Sequence, residues 1–516
     1  MQDTKLQNQP PHSSPSPPQN FHGVQPLRGL EDVPRSTLYE GRFGRMFRNL
    51  PPLAPDDADL LALAALMTEN EAQADDPNLD NPEIPAGFTY FGQFIDHDIT
   101  FDPNSKLQRD NDPDALRNFR TPRYDLDSLY ADGPDNNPYL YQSDGVHLLI
   151  GNNAADEDDL PRNSPAEPGE AKRALIGDPR NDENAIVSQL HLAFIKFHNK
   201  VVDALPANTP SRFDEARRIV RWHYQWVVVH DFLRKILGGD DVVNDIIKLE
   251  KYKVPFGGGT KDIKGVLNVD LKFYNYRNQP FIPVEFSVAA YRFGHSMIRT
   301  NYELNPQTED PNDVDIFGEE GHDLRGFQER RVGLEIQWAR FFEFSGTPLK
   351  PQHSRRIDTQ LAVGLSNLPF ITDMFKALAQ RNLLRGKALG LPSGQAVARA
   401  MGMTKDDVIL TPAELNLPTN APSPEGPRNL ATVFAENTPL WYYVLKEAEV
   451  RCNGKKLGPL GGRIVAEVLI GLLDGDPSSY LSAEPTWQPK QGQFGAPQDG
   501  KFFMADLLRF AGVKIS

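Results

Sequence analysis

The segment FGQFIDHDITFD, residues 91–102, places a histidine between two aspartates in an otherwise apolar stretch. Carboxylates are rarely buried unless they are paired or bound to something. In a helix, residues four apart share a face, so Gln93 and His97 would face one side, with Asp96 at its border. Asp98 would lie about 200° around the helix from Asp96. The segment therefore either lies at the surface or holds a cofactor and an ion, and in the second case a helix would present two polar sites, one on each side.

A second oxygen-rich segment is TPRYDLD. Thr121, Asp125 and Asp127 supply oxygens at alternating positions, with the carbonyl of Arg123 between them. Ca²⁺ takes about six to eight oxygen ligands, and an irregular loop of this kind can wrap it, with Asp98 completing the set. The alternative is an ordinary turn, because turns are rich in Asp and Thr.

Two further segments, GDPRNDEN and AYRFGHSMI, combine polar residues at helical spacing. In a helix, Arg180, Glu183 and Asn184 would share a side; the alternative is a solvated helix start with acidic residues near the positive dipole end. His295 follows Arg292 by one turn, and the arginine could reach an anionic group on whatever the histidine binds. The alternative for His295 is a satisfied core histidine.

Hydrophobic periodicity predicts a mainly helical chain. We expect helices over about 183–205 and 211–237, and a third after Pro283 through AYRFGHSMI. Strand-like runs are few and short, such as VHLLIG. The expected fold class is mainly α, with one large helical domain and few short strands. His191 and His198 lie on one face of the first helix without a third ligand nearby in sequence, so we expect structural roles for them.

Composition limits the classes of partner. The 516 residues carry a net charge of -15, which disfavours nucleic acid and anionic membrane surfaces. No apolar run approaches the ~20 residues of a membrane span, and Cys452 is the single cysteine. The N-terminus lacks the pattern of a signal peptide, which predicts a cytoplasmic protein or export by a non-classical route. Residues 1–25 read as a disordered Pro/Ser-rich tail, and residues 26–516 as one catalytic domain.

Five segments carry a family resemblance: GQFIDHDITF, TPRYDLDSLY, GDPRNDEN, AYRFGHS, and RNLLRG followed by GLP. In this order, over roughly residues 42–475, they resemble the animal-type haem peroxidases, the group of myeloperoxidase, lactoperoxidase and cyclooxygenase. The resemblance implies haem b and an oxidoreductase that reduces H₂O₂ and oxidises halide, thiocyanate or small organic donors through a ferryl intermediate. Its partners would be H₂O₂ and a small electron donor, and its setting the response to oxidative stress.

The resemblance also implies roles for single residues. His97 would be the distal histidine that moves a proton of H₂O₂, Arg180 would polarise the O–O bond, and Gln93 would order water or a halide. His295 would bind the haem iron, and Asn382 would accept the other ring N–H of that histidine.

Further implied roles concern haem attachment and calcium. Arg292 would pair with a haem propionate, and Asp96 and Glu183 would form ester bonds to haem methyl groups. Asn184 stands where myeloperoxidase has a methionine, so that third link should be absent. The implied calcium ligands are Asp98, Thr121, Arg123 through its carbonyl, Asp125 and Asp127.

Two other functions stay open. A fatty-acid dioxygenase related to cyclooxygenase would use a tyrosine three residues before the proximal histidine; Arg292 occupies that position, and Tyr291 would point about 100° away in a helix. A non-catalytic, calcium-stabilised binding protein that has lost haem is the third reading. The presence of His97, Arg180 and His295 argues against it.

Overall fold

The computed structural model describes residues 41–516 apart from 75, 103–116, 165–171, 257–258, 278, 311, 405–408 and 498–500. It is mainly helical, as predicted. The predicted tail, residues 1–25, lies outside the described residues. The α-helices are α1 (Asp57–Ala65), α2 (Gly87–Ile99), α3 (Asp127–Tyr130), α4 (Ala185–Ala204), α5 (Arg212–Val227), α6 (Leu233–Leu237), α7 (Asp241–Ile246), α8 (Leu378–Ala388), α9 (Gly394–Ala400), α10 (Pro412–Leu415), α11 (Leu430–Val433), α12 (Leu440–Cys452), α13 (Pro459–Asp474), α14 (Tyr480–Ala483) and α15 (Met504–Ala511).

The strands form small separate sheets. One sheet has the order β3-β1-β8, with β1 antiparallel to β3 and parallel to β8, and the others are the pairs β9–β10, β2–β11, β4–β5 and β6–β7. The strands are β1 (Gly41–Gly44), β2 (Asp80–Pro85), β3 (Arg117–Asn118), β4 (Gly151–Asn152), β5 (Asp158–Asp159), β6 (Ile247–Phe256), β7 (Gly259–Val269), β8 (Ile282–Pro283), β9 (Asn301–Tyr302), β10 (Val314–Asp315) and β11 (His353–Arg355).

Helices α2, α4 and α5 meet in an aromatic core. Phe94 of α2 stacks on Phe194 of α4 with ring centroids 4.6 Å apart, and Tyr224 of α5 meets Phe194 edge-on at 5.7 Å. Phe91 packs edge-on against Tyr224 from one turn earlier in α2. These rings are fully buried, and offset or edge-on pairs add about 0.5–1.5 kcal/mol each beyond their area burial. The core therefore holds the apolar face of α2 in place, and the polar face of the helix points away from these rings.

The two long helices predicted from periodicity are present. Helix α4 starts at Ala185 because Asn184 caps it, with its side-chain oxygen accepting from the backbone N–H groups of Ile186 and Val187. The predicted helix over 211–237 is confirmed from Arg212, but a π-helical turn at Val228–Phe232 divides it into α5 and α6. It ends at Gly238, whose φ of +68° favours glycine.

The third predicted helix was wrong in type. Glu285–Ala289 is a π-helical turn and Ala290–Met297 is 3₁₀-helical. In a 3₁₀ helix, residues three apart eclipse one another, so Arg292 and His295 project to the same side. The segment is anchored at its start and in its middle: the carboxylate of Glu285 accepts from two backbone N–H groups next to β1, and Trp441 of α12 donates to the carbonyl of Arg292.

The strand prediction was incomplete. In VHLLIG, residues 146–151, only an isolated bridge at Leu148 and the first residue of β4 are extended and paired. The longest strands of the described residues, β6 and β7, pair antiparallel, from Ile247 opposite Val269 to Phe256 opposite Gly259. Their sequence carried the signal: alternating apolar residues flank a run of three glycines, which is typical of a hairpin.

Candidate active site

One large cleft contains most of the predicted site residues. It encloses about 1680 Å³ of space, part of it open to solvent. Helix α2 lines it with Gln93, Asp96 and His97, and the 3₁₀ segment lines it with Arg292 and His295. The two histidines come from separate elements and border the same cavity. Most of the remaining wall is apolar, from Phe43, Phe88, Phe232, Val284, Leu365, Leu368 and Leu389 among others.

The faces of α2 are those that periodicity predicted. Gln93, Asp96 and His97 border the cleft, whereas Asp98 is fully buried on the far side. His97 is itself buried, and burial, followed by the charge of Arg180, lowers its pKa from 6.5 to about 3. The imidazole is therefore neutral at pH 7 and able to accept a proton.

Arg180 lies in a 3₁₀ turn, Pro179–Asp182, rather than in a helix. Its Nη2 donates to the carbonyl oxygens of His97 and Thr100 at 2.9 and 2.6 Å, and its Nε and Nη2 donate to Asp178. The guanidinium carbon lies 4.5 Å from the ring centroid of Phe101. These bonds fix a positive charge against the C-terminal turn of α2, beside His97.

Asp178 joins Arg180 to a second arginine. Its Oδ2 accepts from Arg120 Nε at 2.8 Å, and Arg120 Nη1 lies 3.2 Å from a carboxylate oxygen of Asp127. Asp178 is fully buried, and the two guanidinium groups hold its pKa far below the ordinary value against the opposing effect of burial. Sequence spacing did not reveal this series of ion pairs, because Arg120 and Asp127 are distant in sequence from Asp178 and Arg180.

Glu183 and Gln93 contact each other across the cleft wall. The amide nitrogen of Gln93 donates to a carboxylate oxygen of Glu183, and the Gln93 oxygen accepts from Asn184 Nδ2 at 3.2 Å. Burial raises the pKa of Glu183 to about 8; Arg180 opposes this rise, and the nearby Asp178 and Asp96 reinforce it. Asp96 accepts from Thr100 Oγ1 at 2.9 Å, and burial also raises its pKa.

The shifted pKa of Glu183 predicts a pH-dependent stability for the haem-free protein. The folded pKa, about 8, lies above the ordinary value of 4.5, so the folded state holds the proton more tightly, and stability is lost as pH rises between these values. Glu183→Gln removes this loss. We expect the variant to melt a few degrees above the parent at pH 8 and near it at pH 5, by scanning calorimetry. The exposed Glu319→Gln is the control, and parallel Tm–pH curves for Glu183→Gln and the parent would contradict the assignment.

His295, on the 3₁₀ segment that lines the same cleft, is neutral. Burial, followed by the charge of Arg292, lowers its pKa to about 3. Asn382 of α8 places its amide nitrogen 2.8 Å from His295 Nδ1, and its amide oxygen accepts from Arg292 Nη1 at 2.5 Å. The structure therefore brings His295, Asn382 and Arg292 together, but with the amide nitrogen, rather than the expected oxygen, toward the imidazole.

Two charged cleft residues, Arg385 and Asp102, were given no role in the sequence analysis. Arg385, one turn beyond Asn382 in α8, is buried, and burial with the charge of Arg292 lowers its pKa to about 10. Its Nη1 lies 3.8 Å from a carboxylate oxygen of Asp102. The spacing of Asn382 and Arg385 was a signal that could have been used, since residues three apart in a helix are neighbours.

The second polar site is a carboxylate cluster behind α2. Asp98, Asp125 and Asp127 each offer an oxygen, and these oxygens all lie within 4.8 Å of one another. Burial and the mutual repulsion of the carboxylates raise the pKa of Asp98 well above its usual range; burial first, and Asp125 among the neighbours, raise that of Asp127 to about 7. Thr121 donates to Asp125 at 2.6 Å. Such a cluster of hard oxygens suits a cation.

The loop that carries this cluster has two further features. Leu126, between the two loop aspartates, has a φ of +55°, and its N–H donates to Asp98 at 3.3 Å. Ser128, which the sequence analysis did not single out, also donates to Asp98 at 3.3 Å. The side chain of Arg123 points elsewhere, with Nη1 3.7 Å from Asp476, so only its carbonyl remains a candidate ligand.

The two histidines of α4, His191 and His198, do not line the cleft. His198 lies 3.0 Å from the hydroxyl of Tyr130 and 2.9 Å from the carbonyl of Val146. His191 contacts Asn181 at 3.0 Å. Trp222 is buried and donates to the carbonyl of Ser478.

No helix in the described ranges is long and apolar enough to cross a membrane.

The chain matches the family model for animal haem peroxidases over residues 108–480. Arg180, His295 and Asn382 lie within the match, and α2 precedes it. Thyroid peroxidase of Mus musculus is 27% identical over 323 residues, 58% of this chain and 30% of that protein. A peroxidase-like protein of Margaritifera margaritifera is 25% identical over 501 residues, 83% of this chain and 59% of its own length. The chain thus spans less than two thirds of these relatives.

Solved structures share the fold. Peroxidase A from Dictyostelium discoideum superposes with a TM-score of 0.61 at 16% identity, covering 93% of this chain and 94% of that one. Fatty acid alpha-dioxygenase from Oryza sativa gives a TM-score of 0.55 at 16% identity, covering 93% and 80%. At such identities the likeness concerns the fold alone, and it includes enzymes with different substrates.

Proposed function

Because the chain belongs to the animal haem peroxidase family, we propose that it binds haem b in the cleft and uses H₂O₂ to oxidise a halide, thiocyanate or a small organic donor. The observation that carries the proposal is the placement of two neutral imidazoles, the buried His97 and the part-buried His295, on separate elements that line one cleft, with the fixed charge of Arg180 beside the first. Peroxide chemistry at a haem would use one imidazole to hold the iron and a second one, with a fixed positive charge beside it, to move the protons of the peroxide.

The cleft residues fit the cofactor. A neutral imidazole suits iron, the apolar wall suits the macrocycle, and Arg292 and Arg385 place two cations beside the cleft for the two haem carboxylates. If His295 held the iron through Nε2, its Nδ1 would carry the proton. Asn382 would then present its oxygen to Nδ1, and Arg292 would give up its present bond to that oxygen. A haem carboxylate would give Arg292 its new partner.

When bound, haem supplies the redox chemistry that couples peroxide reduction to donor oxidation. His97 would take a proton from H₂O₂ and return it to the departing oxygen, as a neutral imidazole can. Arg180 would stabilise the negative charge that develops during O–O cleavage without needing to reorganise, since Asp178 and two carbonyls already hold it. Gln93 would orient water or a halide beside these groups.

The test is an absorption spectrum of the haem-reconstituted protein with and without H₂O₂, followed by a donor screen with iodide, bromide, thiocyanate, phenols and linoleate. Peroxide-dependent oxidation of a donor supports the proposal. Absence of a Soret band after reconstitution would favour the non-catalytic, calcium-stabilised binding protein instead.

A fatty-acid dioxygenase is the second candidate, because Tyr291 lines the cleft, where a tyrosyl group could act on a substrate. Its hydroxyl, however, donates to the carbonyl of Gly92 at 3.1 Å, and Arg292 occupies the position three residues before His295. Oxygen uptake with linoleate in an oxygen electrode, lost in Tyr291→Phe, would place this candidate first.

Covalent haem attachment is a prediction of its own. Asp96 and Glu183 both line the cleft with an oxygen-bearing side chain. After treatment of the reconstituted protein with H₂O₂, we expect acid–acetone to leave haem on the polypeptide, measured by absorbance after extraction. The double variant Asp96→Asn, Glu183→Gln should release all of it, as should the parent before peroxide treatment. Complete extraction from the peroxide-treated parent would show that the ester bonds are not made.

We further propose that Asp98, Asp125 and Asp127, with Thr121 and the carbonyl of Arg123, bind Ca²⁺. A ligand that binds only the folded state at about 100 times its Kd stabilises that state by about 2.7 kcal/mol. Addition of Ca²⁺ to chelator-treated protein should therefore raise the Tm, and Asp125→Asn should abolish that rise. Asp135→Asn, an exposed acidic residue, is the control. An equal Ca²⁺-dependent rise in Asp125→Asn would remove Asp125 from the site.

A further inference from the structure

A hydrogen-bonded chain lies behind His97 and does not line the cleft. The side-chain oxygen of Asn181 is 2.9 Å from His97 Nδ1, and its side-chain nitrogen is 3.0 Å from His191 Nδ1. His97 is 5% exposed, and Asn181 and His191 are fully buried. Water therefore does not compete for these bonds, and the Asn181 amide and the two Nδ1 atoms depend on one another as hydrogen-bond partners.

The amide imposes a proton position on each ring. In the amide orientation of this structure the oxygen faces His97 and only accepts, so His97 Nδ1 carries the hydrogen; the amide nitrogen faces His191 and only donates, so His191 Nδ1 is bare. Burial keeps both imidazoles neutral, with one proton each. The proton of His191 then lies on Nε2, and Nε2 of His97 is left without one.

The type of residue at 191 supports a role beyond packing. His191 Nε2 is buried without a hydrogen-bond partner in the described part of the chain. An apolar side chain would fill the same space, edge-on to Phe94, without burying an unpaired ring nitrogen. The polar contact that the ring does make is the one to Asn181, and the backbone of Asn181 is itself fixed by its N–H bond to the carbonyl of Asp178.

We propose that Asn181, oriented by His191, is a positioning residue that holds His97 in the tautomer with a protonated Nδ1 and a bare Nε2 for the cleft. In the other tautomer, Nε2 would already carry a proton and could not accept one from a peroxide. The inference rests on the proposed function for its purpose, but the tautomer itself is a property of the haem-free chain.

The test is long-range ¹H–¹⁵N correlation NMR on haem-free protein labelled with [¹⁵N]histidine, with His97 and His191 assigned by substitution. We expect His97 protonated on Nδ1 and His191 on Nε2. Asn181→Leu should convert His97 to a tautomer mixture. His191→Phe should do so in part, whereas His191→Asn, whose oxygen can accept in place of Nδ1, should keep His97 as in the parent.

A parent protein with His97 protonated on Nε2 would overturn the proposal, and so would a His97 signal unchanged in Asn181→Leu. If that variant does not fold, the parent spectrum alone decides. In the reconstituted protein, Asn181→Leu should slow the reaction with H₂O₂ about 10-fold or more while the KM for the donor stays unchanged. A chain that takes up no haem would contradict the proposed function and leave the tautomer result standing, so the two failures are distinguishable.

Discussion

Replacement of His295 by alanine is expected to abolish haem binding or weaken it gravely. The side chain is the neutral, part-buried imidazole of the 3₁₀ segment, which lines the cleft and contacts Asn382. Its removal would take away the proposed protein ligand of the haem iron, whereas the apolar wall of the cleft is retained. Haem content per polypeptide, from the Soret absorbance after reconstitution without peroxide, measures the effect.

Two controls separate loss of the ligand from loss of the fold. His322→Ala removes an exposed histidine outside the cleft and should bind haem like the parent. Added imidazole should restore a Soret band to His295→Ala by filling the space left by the side chain. Normal haem content in His295→Ala without imidazole would contradict the ligand role.

Replacement of His97 by leucine is expected to slow the reaction with H₂O₂ about 100-fold to 10,000-fold while haem is retained, which is the range that general acid–base catalysis contributes. Leucine fills the buried position without a group that can accept a proton. Stopped-flow absorbance at the Soret band, under excess peroxide, measures the rate.

The matched control for His97→Leu lies in the same wall of the cleft. Thr89 of α2 is buried, lines the cleft and donates a long bond of 3.4 Å to the carbonyl of Met297. Thr89→Val changes polarity there without touching the proposed proton transfer and should react with peroxide like the parent. An unchanged rate in His97→Leu would remove the histidine from the reaction.

What could be predicted from the sequence was local. The two faces of α2 follow from 3.6-residue periodicity, which the aromatic core of Phe91 and Phe94 enforces, so the separation of His97 from Asp98 was readable. The cap at Asn184 is likewise a local contact. Periodicity also gave α5, because its apolar stripe continues to Val227 before the helix widens.

What could not be predicted depends on contacts between distant segments. The 3₁₀ geometry around His295 accompanies anchoring by Glu285 near β1 and by Trp441 of α12, which no spacing within the segment encodes. Asn181 stood inside a quoted motif, yet its partners, His97 and His191, lie on two different helices. A family resemblance identifies residues proposed to contact a cofactor more readily than it identifies the residues that position them.

Asp178, with Arg120 and Arg180, couples the cleft to the carboxylate cluster behind α2. Arg120 grips Asp178 together with Arg180 and also reaches Asp127 of the carboxylate cluster. If the cluster holds its cation, a chelating agent would act as a remote inhibitor. Loss of the cation would loosen Arg180 through Arg120 and Asp178 before haem itself is released. Turnover should therefore decline earlier than the haem absorbance.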